Sequence, residues 1–129
     1  MDSHEIFEIV GPGVAATPVG SRVTCDPAPA DTDEDWLICT RRRDISDRLD
    51  QAGFHAEGSP EFYTGNDNGE FRSWRRGNLN LIVTPDLAFY DRFETATALA
   101  KRFNLLDKRD RIALFQAVLY GVRWHNLEA

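Results

Sequence analysis

Apolar positions recur along the chain with two different periods, and the changes of period mark the elements. In the middle, Glu70-Phe71-Arg72-Ser73-Trp74-Arg75 alternates, and so does Leu79-Asn80-Leu81-Ile82-Val83. Gly77-Asn78 between them is a tight-turn signal, so the pair predicts a β-hairpin. Asp35-Trp36-Leu37-Ile38-Cys39-Thr40 is apolar through its centre and predicts a strand entered from an acidic tip. Val14-Ala15-Ala16-Thr17-Pro18-Val19 predicts an extended piece running into Gly20-Ser21-Arg22, and Pro18 places it at an edge or a bend.

The helical period takes over toward the C-terminus. Phe89, Phe93, Ala96, Ala100 and Phe103 predict one apolar helix face, with Thr84 as cap and Pro85 in the first turn. Asn104-Leu105-Leu106 ends that helix, and Asp107 caps another lined by Ile112, Phe115 and Leu119, which makes a C-terminal helical hairpin. A shorter helix is predicted over Asp44 to Ala52, capped by Asp44 or Ser46, with Ile45 and Leu49 on one face and Gly53 stopping it. Glu5 to Val10 is a short segment broken by Gly11-Pro12-Gly13, Asp26 to Asp31 is turn-rich, and His55 to Asn68 reads mostly as loop. The expected architecture is α+β: a small mixed sheet flanked by helices, ending in the helical hairpin, as a single domain over residues 1–129.

Composition narrows the class. At 129 residues the chain can bury one core without help from metal or disulfide, and two full domains would each be marginal. With 42% hydrophobic and 28% charged residues it is neither a disordered chain nor a coiled-coil rod. No apolar run approaches the ~18 residues of a membrane-spanning helix. The acidic start, Met1-Asp2-Ser3-His4-Glu5, lacks the basic and apolar regions of a secretory signal, so a cytoplasmic location and reduced Cys25 and Cys39 are expected. No CxxC pair or nearby His cluster suggests zinc. The net charge of −6, from 15 Lys+Arg against 21 Asp+Glu, argues against a dedicated binder of phosphate backbones. A nucleotide substrate stays open, because a bound metal inverts the local charge.

The chemistry sits in two pieces. Residues i and i+2 of a strand project to one side, so Asp33 and Asp35 can aim their carboxylates at a common locus. Two carboxylates aimed together repel unless one is protonated or a cation sits between them, and Mg²⁺ suits that place because it takes oxygen ligands and bridges carboxylates to phosphates. Upstream, Gly20 permits close backbone approach to a phosphate, and the Ser21 hydroxyl can donate to it. Metal-holding carboxylates with a phosphate cradle are the apparatus of in-line nucleotidyl transfer.

Val19-Gly20-Ser21-Arg22, a Pro-containing loop, and then Thr32-Asp33-Glu34-Asp35-Trp36-Leu37-Ile38 resemble the GS…DxD signature of the minimal nucleotidyltransferases of the polymerase-β superfamily. The resemblance covers Val14 to Thr40 well, and Leu79 to Val83 as the later strand. It implies a metal-dependent enzyme that moves a nucleoside monophosphate from a nucleoside triphosphate such as ATP to an acceptor, releasing pyrophosphate. Asp33 and Asp35 would ligate Mg²⁺ (or Mn²⁺), Gly20 and Ser21 would seat the phosphates, and Arg22 would neutralise charge on the leaving group. The implied acceptors are a nucleic-acid 3′ end, a small molecule or a partner protein, as in the antitoxin-like members. The family carries a third carboxylate on a neighbouring strand, where this chain has Leu79-Asn80-Leu81. Asn80 offers a neutral carbonyl oxygen and cannot take up a proton as a carboxylate does. The alternative is a catalytically weakened binding module that senses a nucleotide or inhibits a partner protein. Glu70 and Asp67 are candidate substitutes for the third acid.

Each feature also has a plainer reading. Asp31 to Asp35 could be a solvated acidic loop, though the strand after it and Gly20-Ser21 before it weigh against that. Arg41-Arg42-Arg43 reads as a solvent-facing turn rather than a phosphate clamp, and Trp74 as half-buried on a sheet rather than stacked on a base. His55 and His125 have no partner in sequence that makes a general base, and Tyr63 and Tyr90 read as structural.

Overall fold

The computed structural model describes residues 1–30, 32–57 and 71–121. In chain order the elements are α1 (Ser3–Val10), β1 (Ala15–Val19), α2 (Ser21–Thr24), β2 (Glu34–Cys39), α3 (Ile45–Gln51), β3 (His55–Glu57), β4 (Arg72–Arg76), β5 (Leu79–Thr84), α4 (Leu87–Arg102) and α5 (Lys108–Tyr120). The five strands form one sheet in the order β1-β2-β5-β4-β3. Only β2 and β5 run parallel, so the sheet is mixed, as expected.

The strand alternation sorts side chains between two helical layers. Leu37 and Ile82 face Phe89, Phe93, Phe115 and Leu119 of α4 and α5. Trp36, Ile38, Leu81, Val83 and Trp74 face Ile6 and Val10 of α1 together with Leu49 and Phe54. With a layer on each side, β5 is buried at every position, which is why its sequence is apolar almost without interruption. Pro18 lies on β1 at the sheet edge, where its missing N–H costs no interior ladder bond. Gly77 takes φ +59° in the turn of the β4–β5 hairpin, the conformation that the Gly-Asn pair signals.

Several local expectations need correction. Glu5 to Val10 belongs to a helix that begins at Ser3, capped by the Asp2 carboxylate, which accepts from the Glu5 amide at 2.9 Å. Residues 55–57 are a strand rather than loop; β3 is too short and too exposed to carry a period. Thr84 ends β5 instead of capping α4: its hydroxyl accepts from the Asp86 amide, and the Asp86 carboxylate caps the helix through the Ala88 amide. Phe103 falls past the last turn of α4 and is 62% exposed, so the apolar face ends at Ala100. Asp44 stands before α3 with no capping bond, because Arg42 and Arg48 hold its carboxylate. Trp74 is buried in the core beneath α1 and α3 rather than half-buried. Cys25 is buried and Cys39 half-buried, and both are free thiols. Among the described residues no helix is long and apolar enough to cross a membrane.

Candidate functional site

A row of paired residues crosses all the strands on the α4–α5 side of the sheet. Val19 pairs with Asp35, Asp35 with Asn80, Asn80 with Arg75 and Arg75 with His55. Partners in register project to the same face. The next row on that face carries Leu37, Ile82, Ser73 and Glu57. Where α5 passes over these rows a cavity of about 380 Å³ remains, with Ile82, Ile112 and Phe115 as its apolar wall. Gly20, Ser21, Asp33, Asp35 and Asn80 all line it. Arg75, Lys108 and Arg111 bring positive charge to the same space.

Asp35 is the most constrained of these groups. Burial, reinforced by the neighbouring Asp33 charge, pushes its carboxyl up from 3.8 to about 6, against the pull of the Asn80 bond and of Arg75 and Arg22. The Asn80 side-chain amide donates to its Oδ1 at 3.1 Å. Its other oxygen lies against Gly20, whose φ is +82°, and a Cβ there would collide with it. In this fold the absence of a side chain at Gly20 makes room for the Asp35 carboxylate.

The approach to β2 is tied back to α2. The Ser21 and Thr32 hydroxyls share a hydrogen bond of 2.6 Å. Arg22 donates through Nε and a terminal nitrogen to the Thr32 carbonyl, at 3.1 and 2.9 Å. Arg22 consequently does not line the cavity: it faces a shallower depression beside Glu34 and Trp36. Asp33 reaches across the row to Arg75, 3.1 Å from its guanidinium, and the same guanidinium holds Glu57 at 3.2 Å. Arg111 donates to the carbonyls of Leu105 and Leu106, both at 2.8 Å, and so pins the α4–α5 turn. The hydroxyl of Ser73 and the carbonyl oxygen of Asn80 are buried with no hydrogen-bond partner. Such orphaned atoms are costly and tend to mark places where a ligand or water belongs.

Sequence reasoning thus assembled five of its six site residues on one cavity and missed Arg75, Glu57, Ser73, Lys108 and Arg111. Arg75 and Ser73 had a signal in the hairpin: the Gly77-Asn78 turn sets Arg76 opposite Leu79, and hence Arg75 opposite Asn80 and Ser73 opposite Ile82. Of the Arg41-Arg42-Arg43 run, Arg42 pairs with Asp44 and Arg41 donates to the Pro85 carbonyl, both away from the cavity. Asp67, Glu70, Tyr63 and His125 lie outside the described residues. Among the described residues no three His, Cys, Asp or Glu side chains converge as a metal group. The oxygen donors of Asp33 and Asp35 are nevertheless of the kind that a hard divalent cation takes.

No family model, no curated protein and no solved structure matches the chain.

Proposed function

We propose that the protein is a metal-dependent nucleotidyltransferase, taking a nucleoside triphosphate into the cavity beneath α5. The observation that carries this reading is the convergence of Asp33, Asp35, Gly20 and Ser21 on one cavity, opposite Lys108 and Arg111. Asp33 and Asp35 would hold Mg²⁺ or Mn²⁺, which supplies charge neutralisation for in-line transfer. The acceptor oxygen would bond to the α-phosphorus while the bond to the bridging oxygen of pyrophosphate breaks, the acceptor proton passing to solvent. Asn80 fixes the orientation of Asp35, and the Ser21–Thr32 bond fixes Asp33 beside it. Lys108 raises the local potential for the phosphates, and the apolar wall of Ile82, Ile112 and Phe115 suits a base or sugar face.

One observation favours a second reading. The Asn80 amide donates to Asp35 at the position where the resembled family has its third carboxylate, and an amide there takes no proton from an acceptor hydroxyl. A module that binds a nucleotide, to sense it or to inhibit a partner protein, needs no such group. Each α-labelled triphosphate, offered with Mg²⁺ or Mn²⁺ and with nucleic-acid, small-molecule and protein acceptors, separates the two. Label transfer that Asp33→Ala abolishes supports the enzyme. Saturable binding without transfer selects the module, and neither binding nor transfer removes both.

A further inference from the structure

We infer that Arg75 is the phosphate-recognising side chain of this cavity, stored on Asp33 and Glu57 until a divalent cation and a nucleotide's phosphates arrive together. The inference rests on the nucleotide reading above and adds the residue that couples its two ligands. Neither Arg22 nor Arg111 fits the task as well. Arg22 faces the other depression and holds the Thr32 carbonyl, and Arg111 is tied through Nη1 to the carbonyls of Leu105 and Leu106 at the α4–α5 turn.

Arg75 is held differently. Its partners are two carboxylates, Asp33 and Glu57, about half exposed, and its own side chain is about one-third exposed. Ion pairs in such partial contact with water are weak and readily exchanged. A guanidinium also matches two phosphate oxygens at once, in a geometry that a solvated carboxylate pair does not improve on. Arg75 lies in the same strand row as Asn80 and Asp35 and lines the cavity, so the exchange needs no movement of the sheet.

The coupling follows from Asp33 having two claimants. A free divalent cation must displace Arg75 from Asp33, which leaves a guanidinium with one partner. A phosphate without a cation must enter beside Asp33, Asp35 and Glu57. When both arrive, the cation takes Asp33 and the phosphates take Arg75, and every charge has a partner. Glu57 is a positioning residue here, since it keeps the guanidinium at the cavity wall.

The test titrates the full-length chain with Mn²⁺ alone, followed by its paramagnetic signal, and with Mn²⁺ plus a non-hydrolysable triphosphate, followed by calorimetry. Wild type should bind Mn²⁺ alone weakly and the Mn²⁺–triphosphate complex well. Arg75→Gln should move the two in opposite directions: Mn²⁺ alone tighter, the complex weaker, each by about tenfold. A residue that only supports the fold would weaken both when replaced, so parallel losses overturn the inference, as do two unchanged affinities. Wild type that binds neither probe overturns the nucleotide reading and this inference with it. Arg75→Lys keeps the charge without the fork and should fall between wild type and Arg75→Gln for the complex.

Discussion

Asn80 sits where a single atom decides the character of the cavity, because its register partner is Asp35 and its amide nitrogen donates to that carboxylate. Asn80→Asp exchanges this donor for a second acidic oxygen facing the first. The metal-free protein should lose about 1–3 kcal/mol, from the broken bond and the new repulsion. Mn²⁺ or Mg²⁺ should restore it by binding the native state, and any transfer activity should rise with a proton acceptor in place. Thermal melts with and without metal check this, and equal metal shifts in wild type and variant would rule it out. The same residues show how much of the site is legible in sequence. Gly20-Ser21 and Asp33-x-Asp35 are local patterns whose spacing survives folding unchanged. Glu57 and Lys108 reach the cavity only through the strand order and the overhang of α5, which no local pattern encodes. Arg22 misleads because its sequence position beside Ser21 says nothing of the Thr32 carbonyl that captures it.

At the scale of elements, two glycines with positive φ separate a turn's need from a site's need. A Cβ on Gly77, at φ +59°, meets nothing within 4 Å, so Gly77→Ala pays only for the left-handed backbone. A loss of about 1 kcal/mol is expected, with nucleotide binding unchanged. A Cβ on Gly20 runs into the Asp35 carboxylate as well, so Gly20→Ala should cost more than the ~1–3 kcal/mol of backbone strain and should also abolish binding. Chemical denaturation gives both values, and the Gly20→Ala cost should shrink in an Asp35→Ala background. An undiminished cost there would mean that the carboxylate is not what Gly20 accommodates. Elements long enough to repeat their period (β2, the β4–β5 hairpin, α4 and α5) can be read in advance, since burial of one face or two dictates their residues. The short ones cannot. β3 and α2 owe their conformation to neighbours: β3 to pairing with β4, and α2 to the turn at Gly20 and the tie between Ser21 and Thr32.

Over the whole molecule, the buried acid should make stability depend on pH in an unusual direction. Asp35 holds its proton in the folded chain up to about 6 but releases it near 3.8 when unfolded. Between these values the native state binds more protons, so raising the pH through the window removes stability, by up to about 3 kcal/mol. Glu34 works the opposite way. Burial would raise it, but bonds from the Trp36 indole and the Met1 ammonium hold it below its usual 4.5, so its contribution is lost only as the pH falls through that lower range. Asp44, held down by the Arg42 guanidinium against a small desolvation cost, behaves likewise below 3.8. The metal-free protein should therefore melt higher near pH 4 than at pH 7, with the decline spread between about 3.8 and about 6, where the unfolded chain has ionised this carboxyl and the folded one has not. Asp35→Asn keeps the shape of the side chain without the charge and should flatten that decline. Mg²⁺ should raise the melting temperature at pH 7, where the carboxylate is ionised, and much less at pH 5, where a proton already occupies it. A wild-type profile that climbs steadily from pH 5 to 7, or one that Asp35→Asn leaves unaltered, would show that this carboxyl is not the strained acid of the fold.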